Sequence, residues 1–396
     1  MAGSTRRRFL TTAAAAGTAG SAWPAAKISG AEGSIYTSLG LRPVINGVGV
    51  VTYLGGSLMP PEVLRAMDQA ARHFVPLEEL QKKVGARIAE LLHVPAAMVT
   101  AGCASAITVA TAACVAGGDP QRLSRLPDTS GMKNEIIVQK SHRSGYEAQF
   151  SLVGTKFVWV ETREELDRAI NERTAMMAFL NKADPDGRIG RAEWIAVGKQ
   201  HGVPTFNDAA SDAPPKEALW KYVQEGFDLV AFSGGKALLG PQCSGLLLGR
   251  KDLIEAGIPA ISPADGIGRG MKVGKEEIVG LLAAVERYLK VDHDREFAEL
   301  DTRVTEILTA LSNIPGLKAE RFVPPICNHV PHADLTWSEN GFGLTAAAAA
   351  KQLLEGDPPI AVAQPGERHL RVSVWMMRLG EHRIVARRLR QMFTKV

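Results

Sequence analysis

In the stretch FDLVAFSGGKALLGPQCSG (227–245), a single lysine, Lys236, follows Ser233, Gly234 and Gly235 directly after an apolar run with the character of a strand. A cation so placed is a poor solubilising charge, because its neighbours read as buried or tightly turned; its amine is the feature to explain. Twenty-eight residues earlier, Asp208 closes another such run, VPTFND (203–208). A third stretch, TAGCASAITVATAACVAGG (100–118), reads as a strand exit, a small-residue turn and a helix. Residues 102–106 would therefore present free backbone N–H groups at a helix N-terminus, a cradle for an anion.

An amine and a carboxylate at the rim of one sheet suit pyridoxal phosphate. Lys236 would form the Schiff base, and Asp208 would pair with the protonated pyridine nitrogen, which keeps the ring an electron sink. The Ser233 hydroxyl and the turn at Gly102, Cys103, Ala104 and Ser105 would hold the phosphate. A Schiff-base lysine also needs a lowered amine pKa, which partial burial beside glycines helps to supply. Plainer readings stand beside these: an aspartate at a strand end as a helix N-cap, small residues in a strand-to-helix turn for close packing, and a lysine paired with a buried acid for structure alone.

The elements that must position these residues are legible as a pattern. AAMVT (96–100), EIIVQ (135–139), KFVWV (156–160), AMMAFL (175–180), VPTFND (203–208), DLVAFS (228–233) and SGLLLG (244–249) are short aliphatic runs, most of them separated by helical or glycine-punctuated segments. Leu77, Leu80, Val84, Ile88 and Leu91 recur at helical spacing in PLEELQKKVGARIAELL. The fold class is α/β, a mainly parallel sheet sandwiched by helices, and in such sheets ligands bind beyond the carboxyl ends of the strands. From residue 275 one long helix is expected to lead into a smaller C-terminal α+β domain. The expected organisation is a leader (1–30), an N-terminal arm (31–60), a large domain (61–290) and a small domain (291–396).

Composition is ordinary for a globular chain of 396 residues, 45% hydrophobic and 22% charged, and the net charge of +4 owes much to Arg6, Arg7 and Arg8. No basic stripe points to nucleic acid, and no later run is long enough to span a membrane. Residues 4–10, STRRRFL, followed by an Ala/Gly-rich run to residue 22, have the layout of a twin-arginine export signal, with cleavage near 22–26. This predicts a periplasmic or otherwise exported protein; the other reading is a basic leader without function. The four cysteines form no metal-ligand pattern, so no metal site is expected, and Cys103, Cys114 and Cys243 read as buried free thiols.

Three segments, SLGLRPVINGVGVVTYLGGSLMPPEVLRAM, LPDTSGMKNEIIVQKSHRSGYEAQF and GFDLVAFSGGKALLGPQCSGLLLGRKDLI, resemble the selenocysteine-synthase-like branch of fold-type I pyridoxal-phosphate enzymes. That branch contains bacterial seryl-tRNA selenium transferase and the D-glucosaminate-6-phosphate ammonia-lyase group. The resemblance covers roughly residues 33–300 well and the C-terminal domain loosely. It implies Lys236 as the Schiff-base lysine, Asp208 as the pyridinium partner and His142 beside the cofactor ring, a position that also suits a surface-loop histidine. It further implies Arg371 as the clamp on a substrate carboxylate, where an arginine beside a strand is otherwise structural, and Asn46 and Gln242 as lining residues. The implied reaction is α,β-elimination, dehydration and then deamination, of a small β-hydroxy amino acid or amino-sugar acid to a 2-keto acid. A transferase, either selenium transferase-like or class V aminotransferase-like, is the enzymatic alternative, and an exported non-catalytic binding protein the other. Against tRNA stand the lack of room for a further N-terminal domain and the export signal. A homodimer or larger homo-oligomer is implied.

Overall fold

The structure is a computed structural model and describes residues 35–338 and 342–394. The twin-arginine leader expected at residues 4–22 lies outside the described residues. The chain divides into two compact units, residues 1–43 and 44–396. Of the first, residues 35–43 are described, opening with the short helix Ile35–Ser38. The second unit carries two sheets.

In chain order its strands are β1 (Ile45–Gly47), β2 (Ala96–Thr100), β3 (Glu135–Gln139), β4 (Lys156–Val160), β5 (Thr174–Leu180), β6 (Thr205–Asp208), β7 (Leu229–Ser233), β8 (Gly245–Gly249), β9 (Leu317–Phe322), β10 (His332–Trp337), β11 (Ile360–Gly366) and β12 (His369–Ser373). The larger sheet has the order β2-β8-β7-β6-β5-β3-β4. From β7 to β4 every neighbour is parallel, and β8 runs antiparallel to both β7 and β2. Each of the seven apolar runs is a strand of this sheet. Their lack of polar alternation has a direct cause: both faces are covered. Along β7, Leu229 and Ala231 enter one core while Val230 and Phe232 enter the other. Helices Leu77–Leu92, Arg191–His201, Ala218–Glu225 and Lys275–Tyr288 pack on one face, and Cys103–Ala116 and Lys251–Gly257 on the other.

The single long helix expected from residue 275 is two helices, Lys275–Tyr288 and His293–Leu311. Asp292 is extended (φ −77°, ψ 91°) and its carboxylate accepts the Arg295 N–H at 3.0 Å. This N-cap starts a new helix where the apolar periodicity alone ran on. His293 Nε2 meets the Tyr288 carbonyl at 2.9 Å and helps close the first helix.

The smaller C-terminal sheet has the order β1-β11-β12-β10-β9, antiparallel except where β1 joins β11. Helices His293–Leu311, Ala346–Glu355 and Glu381–Thr394 cover it, with Val304, Leu353 and Leu389 fully buried. Its edge strand β1 comes from far earlier in the chain. Among the described residues no helix is long and apolar enough to cross a membrane.

Candidate active site

The segments leaving β2, β3, β5, β6 and β7 all open into one cleft of about 920 Å³. Five carboxyl ends meet there because these strands share one direction, as expected of the ligand-binding rim of an α/β sheet.

Lys236 stands where the chain reverses from β7 into its antiparallel neighbour β8. The reversal is tight: Gly234 N–H donates to the Ser244 carbonyl (2.8 Å) and Gly240 N–H to the Gly234 carbonyl (2.9 Å). A Cβ on Gly235 would lie 2.5 Å from Gln242 Cα, and one on Gly234 would collide with Ser244, so both glycines before the lysine are required by the returning chain. Lys236 Nζ donates to Ser211 Oγ at 2.7 Å.

Asp208 ends β6, the strand beside β7. Its Oδ1 accepts the Ala210 N–H (3.1 Å) and faces Cys103 Sγ (3.5 Å), while among the described residues no donor reaches Oδ2. Burial pushes this carboxyl up from its ordinary pKa, against the Ala210 N–H, the Lys236 charge and the Cys103 thiol, which favour ionisation. Opposite, helix Cys103–Ala116 begins at Gly102 (φ 89°) without a side-chain cap, and Gly102, Cys103 and Ala104 line the cleft. The orphan N–H groups of its first turn therefore face open space. The Ser105 hydroxyl, one residue further, is buried without a partner and does not line the cleft.

Ser233 and Gln242 line the cleft with Lys236, and Gln242 Nε2 donates to the Thr52 carbonyl (2.9 Å). Three other expectations, for Asn46, Arg371 and Cys243, need correction, and His142 divides its two readings. His142 is buried beside Phe179 (centroids 4.4 Å, edge-on); Leu180 N–H donates to its Nδ1 (3.2 Å), and Nε2 lies 3.2 Å from the Gln139 amide nitrogen. Burial pushes its pKa down to about 4, and it lines a small cavity together with Asp208, a place compatible with a position beside the cofactor ring; the surface-loop reading is overturned. Asn46 does not line the cleft: it closes a turn, Oδ1 accepting from Val48 and Gly49 N–H at 3.0 Å each. Arg371 is held elsewhere, by two bonds of 2.6 and 2.7 Å to Asp334 across the β10–β12 ladder, with its guanidinium 3.8 Å from the Phe322 ring centroid. Cys243, expected buried, is exposed in the turn that leads into β8.

Lining residues that escaped the reading of the sequence include Arg143, Lys182, Ser211, Asp212 and Cys327. Arg143, stacked over Trp159 at 4.7 Å, and Lys182 bring cations to the cleft, and neither has an ion-pair partner among the described residues. Arg143 could have been found, since it adjoins His142. Asp212 is buried, with Oδ1 accepting the Cys327 thiol at 2.6 Å and no hydrogen bond among the described residues ending on Oδ2. Burial pushes its pKa up to about 6. Cys327 arrives from the loop between β9 and β10, where Asn328 N–H also donates to the Ser211 carbonyl (2.8 Å).

The family model of L-seryl-tRNA selenium transferase matches residues 162–333. A protein of Streptomyces sp described as 5'-C-glycyluridine monooxygenase-decarboxylase is 35% identical over 338 residues, covering 82% of this chain and 83% of its own. The D-glucosaminate-6-phosphate ammonia lyase of Salmonella typhimurium (strain 14028s / SGSC 2262) is 34% identical over 298 residues, 72% and 78%. A solved structure of D-glucosaminate-6-phosphate ammonia-lyase superposes with a TM-score of 0.79 at 29% identity, covering 91% of this chain and 98% of that one. The chain belongs to the selenocysteine-synthase-like branch of fold-type I pyridoxal-phosphate enzymes. The site of this fold-type I enzyme fits the family's cofactor on its own terms. It offers a half-buried amine, a neighbouring carboxylate oxygen without a donor, and an uncapped helix N-terminus across one cleft.

Proposed function

We propose that the chain binds pyridoxal phosphate and is a lyase for a small β-hydroxy amino acid or amino-sugar acid, which it converts by loss of water and then ammonia to a 2-keto acid. The observation that carries this is the convergence of Lys236, Asp208 and the Gly102–Ala104 start of helix Cys103–Ala116 on one cleft. Lys236 would hold the cofactor's aldehyde carbon, Asp208 its ring nitrogen, and the Gly102–Ala104 backbone with Ser233 its phosphate. When bound, the cofactor supplies an electron sink conjugated with the amino-bearing carbon. Lys236, once freed by the incoming amino group, takes the Cα proton. Its Ser211 contact keeps the amine aimed into the cleft. Arg143 and Lys182 are the cations available to a substrate carboxylate or phosphate.

Both named relatives support the substrate class, since a glycyl unit on a ribose and a glucosaminate are each α-amino acids on a sugar-derived skeleton. The transferase alternative is not favoured: the L-seryl-tRNA(Sec) selenium transferase of Moorella thermoacetica matches 89% of this chain at 26% identity, below the 34% of the ammonia lyase. The test is reconstitution of wild type and Lys236→Ala with pyridoxal phosphate, followed by borohydride reduction and peptide mass mapping, then assay of D-glucosaminate 6-phosphate and β-hydroxy amino acids for 2-keto acid and ammonia. Labelling at Lys236 with product formation supports the reading, and labelling elsewhere or absence of both products from every substrate sinks it.

Two further parts of the proposal are a homodimer or larger assembly and twin-arginine export to the periplasm. The first is supported by Tyr53 and Leu58, exposed at 76% and 59% on the segment that flanks the cleft, and by Phe74, exposed at 102% after the helix that follows; a monomer of full activity on gel filtration would refute it. The second is supported by Arg6 to Arg8 and the Ala-rich run behind them, and a cytoplasmic location unaffected by replacing those arginines with lysine would refute it.

A further inference from the structure

We infer that Asp212 is the proton donor to the departing β-hydroxyl group, an inference that rests on the lyase reading above. Asp212 lies on the cleft wall, four residues beyond Asp208 and next to Ser211, which receives the Lys236 amine. The residue is 4% exposed, no hydrogen bond among the described residues ends on its Oδ2, and the Asn181 side chain lies beside the carboxyl. A bare carboxylate oxygen in such a place is costly, whereas a carboxylic O–H needs only one acceptor, which an incoming hydroxyl would provide. Hydroxide is a poor leaving group and departs readily only as water, so an elimination of this kind calls for a positioned acid.

The groups around Asp212 set its proton affinity from every side. The Cys327 thiol donates to Oδ1 from the β9–β10 loop and favours the ionised form. Asp208, at the end of β6, disfavours it; Arg191, on helix Arg191–His201, and Asn181, beyond β5, favour it. Tyr222, from helix Ala218–Glu225, and Cys103, opening its own helix, face the same carboxyl as neutral groups whose ionisation burial opposes. The balance leaves a carboxyl that is protonated at mildly acidic pH.

In the step itself, Lys236 Nζ takes the Cα proton and that electron pair becomes the Cα–Cβ double bond. The Cβ–O bond breaks, its pair leaves with oxygen, and the Asp212 proton converts the departing group to water. Asp212 is then reprotonated from solvent, and the released enamine is hydrolysed to 2-keto acid and ammonia.

The test compares wild type with Asp212→Asn on hydroxyl-leaving probes, D-glucosaminate 6-phosphate and D- and L-serine, and on a chloride-leaving probe, D- and L-β-chloroalanine, because chloride departs unaided. Asp212→Asn is expected to lose roughly 10²–10³-fold in kcat on the hydroxyl probes and to keep chloride elimination within a few-fold. Equal loss on both, or loss on neither, overturns the inference. A second readout needs no turnover. Infrared titration of the cofactor-free protein should show a carboxylic C=O band that disappears with a midpoint of about 6. The band should be absent from Asp212→Asn and should persist to higher pH in Cys327→Ala, which lacks the thiol donor. A wild type without a band of that midpoint, or an Asp212→Asn protein in which the band of that midpoint keeps its full amplitude, overturns the inference on the protein alone; any band of Asp208, whose carboxyl is also raised, is common to both proteins and cancels in the difference. A wild type that eliminates neither water nor chloride instead defeats the lyase reading, and the inferred donor role falls with it whatever the infrared shows.

Discussion

In the small sheet, Arg371 and Asp334 face each other across β12 and β10 with two short hydrogen bonds, and Phe322 packs against the guanidinium. At the rim of the large sheet, by contrast, no hydrogen bond among the described residues ends on Oδ2 of Asp208 or Asp212, and Arg143 and Lys182 lack an ion-pair acid among the described residues. Buried polar groups are nearly always paired when their task is structural. A cluster that remains incomplete within the protein is a cluster arranged for something else, and this distinction separates the arginine that holds a sheet from the residues that await a ligand.

The largest effect that could sharpen the contrast is at Lys236. Lys236→Ala should lower turnover roughly 10²–10⁴-fold, the range for loss of a positioned base, with an unchanged unfolding midpoint by denaturant titration. A large stability loss instead would make Lys236 a structural cation and erase the contrast. Asp208→Asn comes next: it preserves shape but removes the charge, and should weaken cofactor binding by about 2–5 kcal/mol in a spectroscopic titration. Undiminished affinity would show that Oδ2 meets nothing.

Arg371→Met is the mirror experiment. It should cost about 1–3 kcal/mol of stability, as expected for breaking a half-buried ion pair, and leave KM for every substrate unchanged. A tenfold rise in KM with normal stability would return Arg371 to the substrate and break the comparison.

The smallest effect is a pH dependence at Asp212. Its folded pKa, about 6, lies above the value of about 3.9 for a free aspartate, so the folded state keeps its proton longer and stability falls as pH rises between the two values. Asp212→Asn lacks this loss. Above pH about 6 it should therefore be more stable than wild type by about 1–3 kcal/mol, and the gain should vanish below pH about 4. Thermal melts at both ends of the range check this, and an equal gain at both would assign the effect to packing.

The large sheet was legible because each strand is an aliphatic run buried on both faces, a signal that needs no partner to be read. The small sheet was not: β9, Leu317–Phe322, alternates partly buried and exposed residues, and β11 ends in three exposed ones. The break at Asp292 was hidden because apolar spacing continues through it, and only the cap geometry reveals it. Lys236 and Asp208 could be found because adjacent parallel strands bring their own ends together. Asp212 and Cys327 are joined across 115 positions by a loop of the second sheet, and no local pattern encodes that meeting. Arg371 was misplaced for the converse reason: its partner Asp334 lies 37 positions away and was invisible from its own strand.

The antiparallel return of β8 has a consequence for how the molecule fluctuates. Because β7 and β8 are neighbours inside the sheet, with Leu229, Val230, Leu246 and Leu247 fully buried, both ends of the lysine segment are anchored in interior strands. Partial opening events in proteins begin at edges and loosely packed elements, and interior ladders separate only when the whole domain does. The amine should therefore keep its position through the excursions that loosen the cleft's other walls, and the amides of β7 and β8 should be among the slowest in the chain to exchange with deuterium.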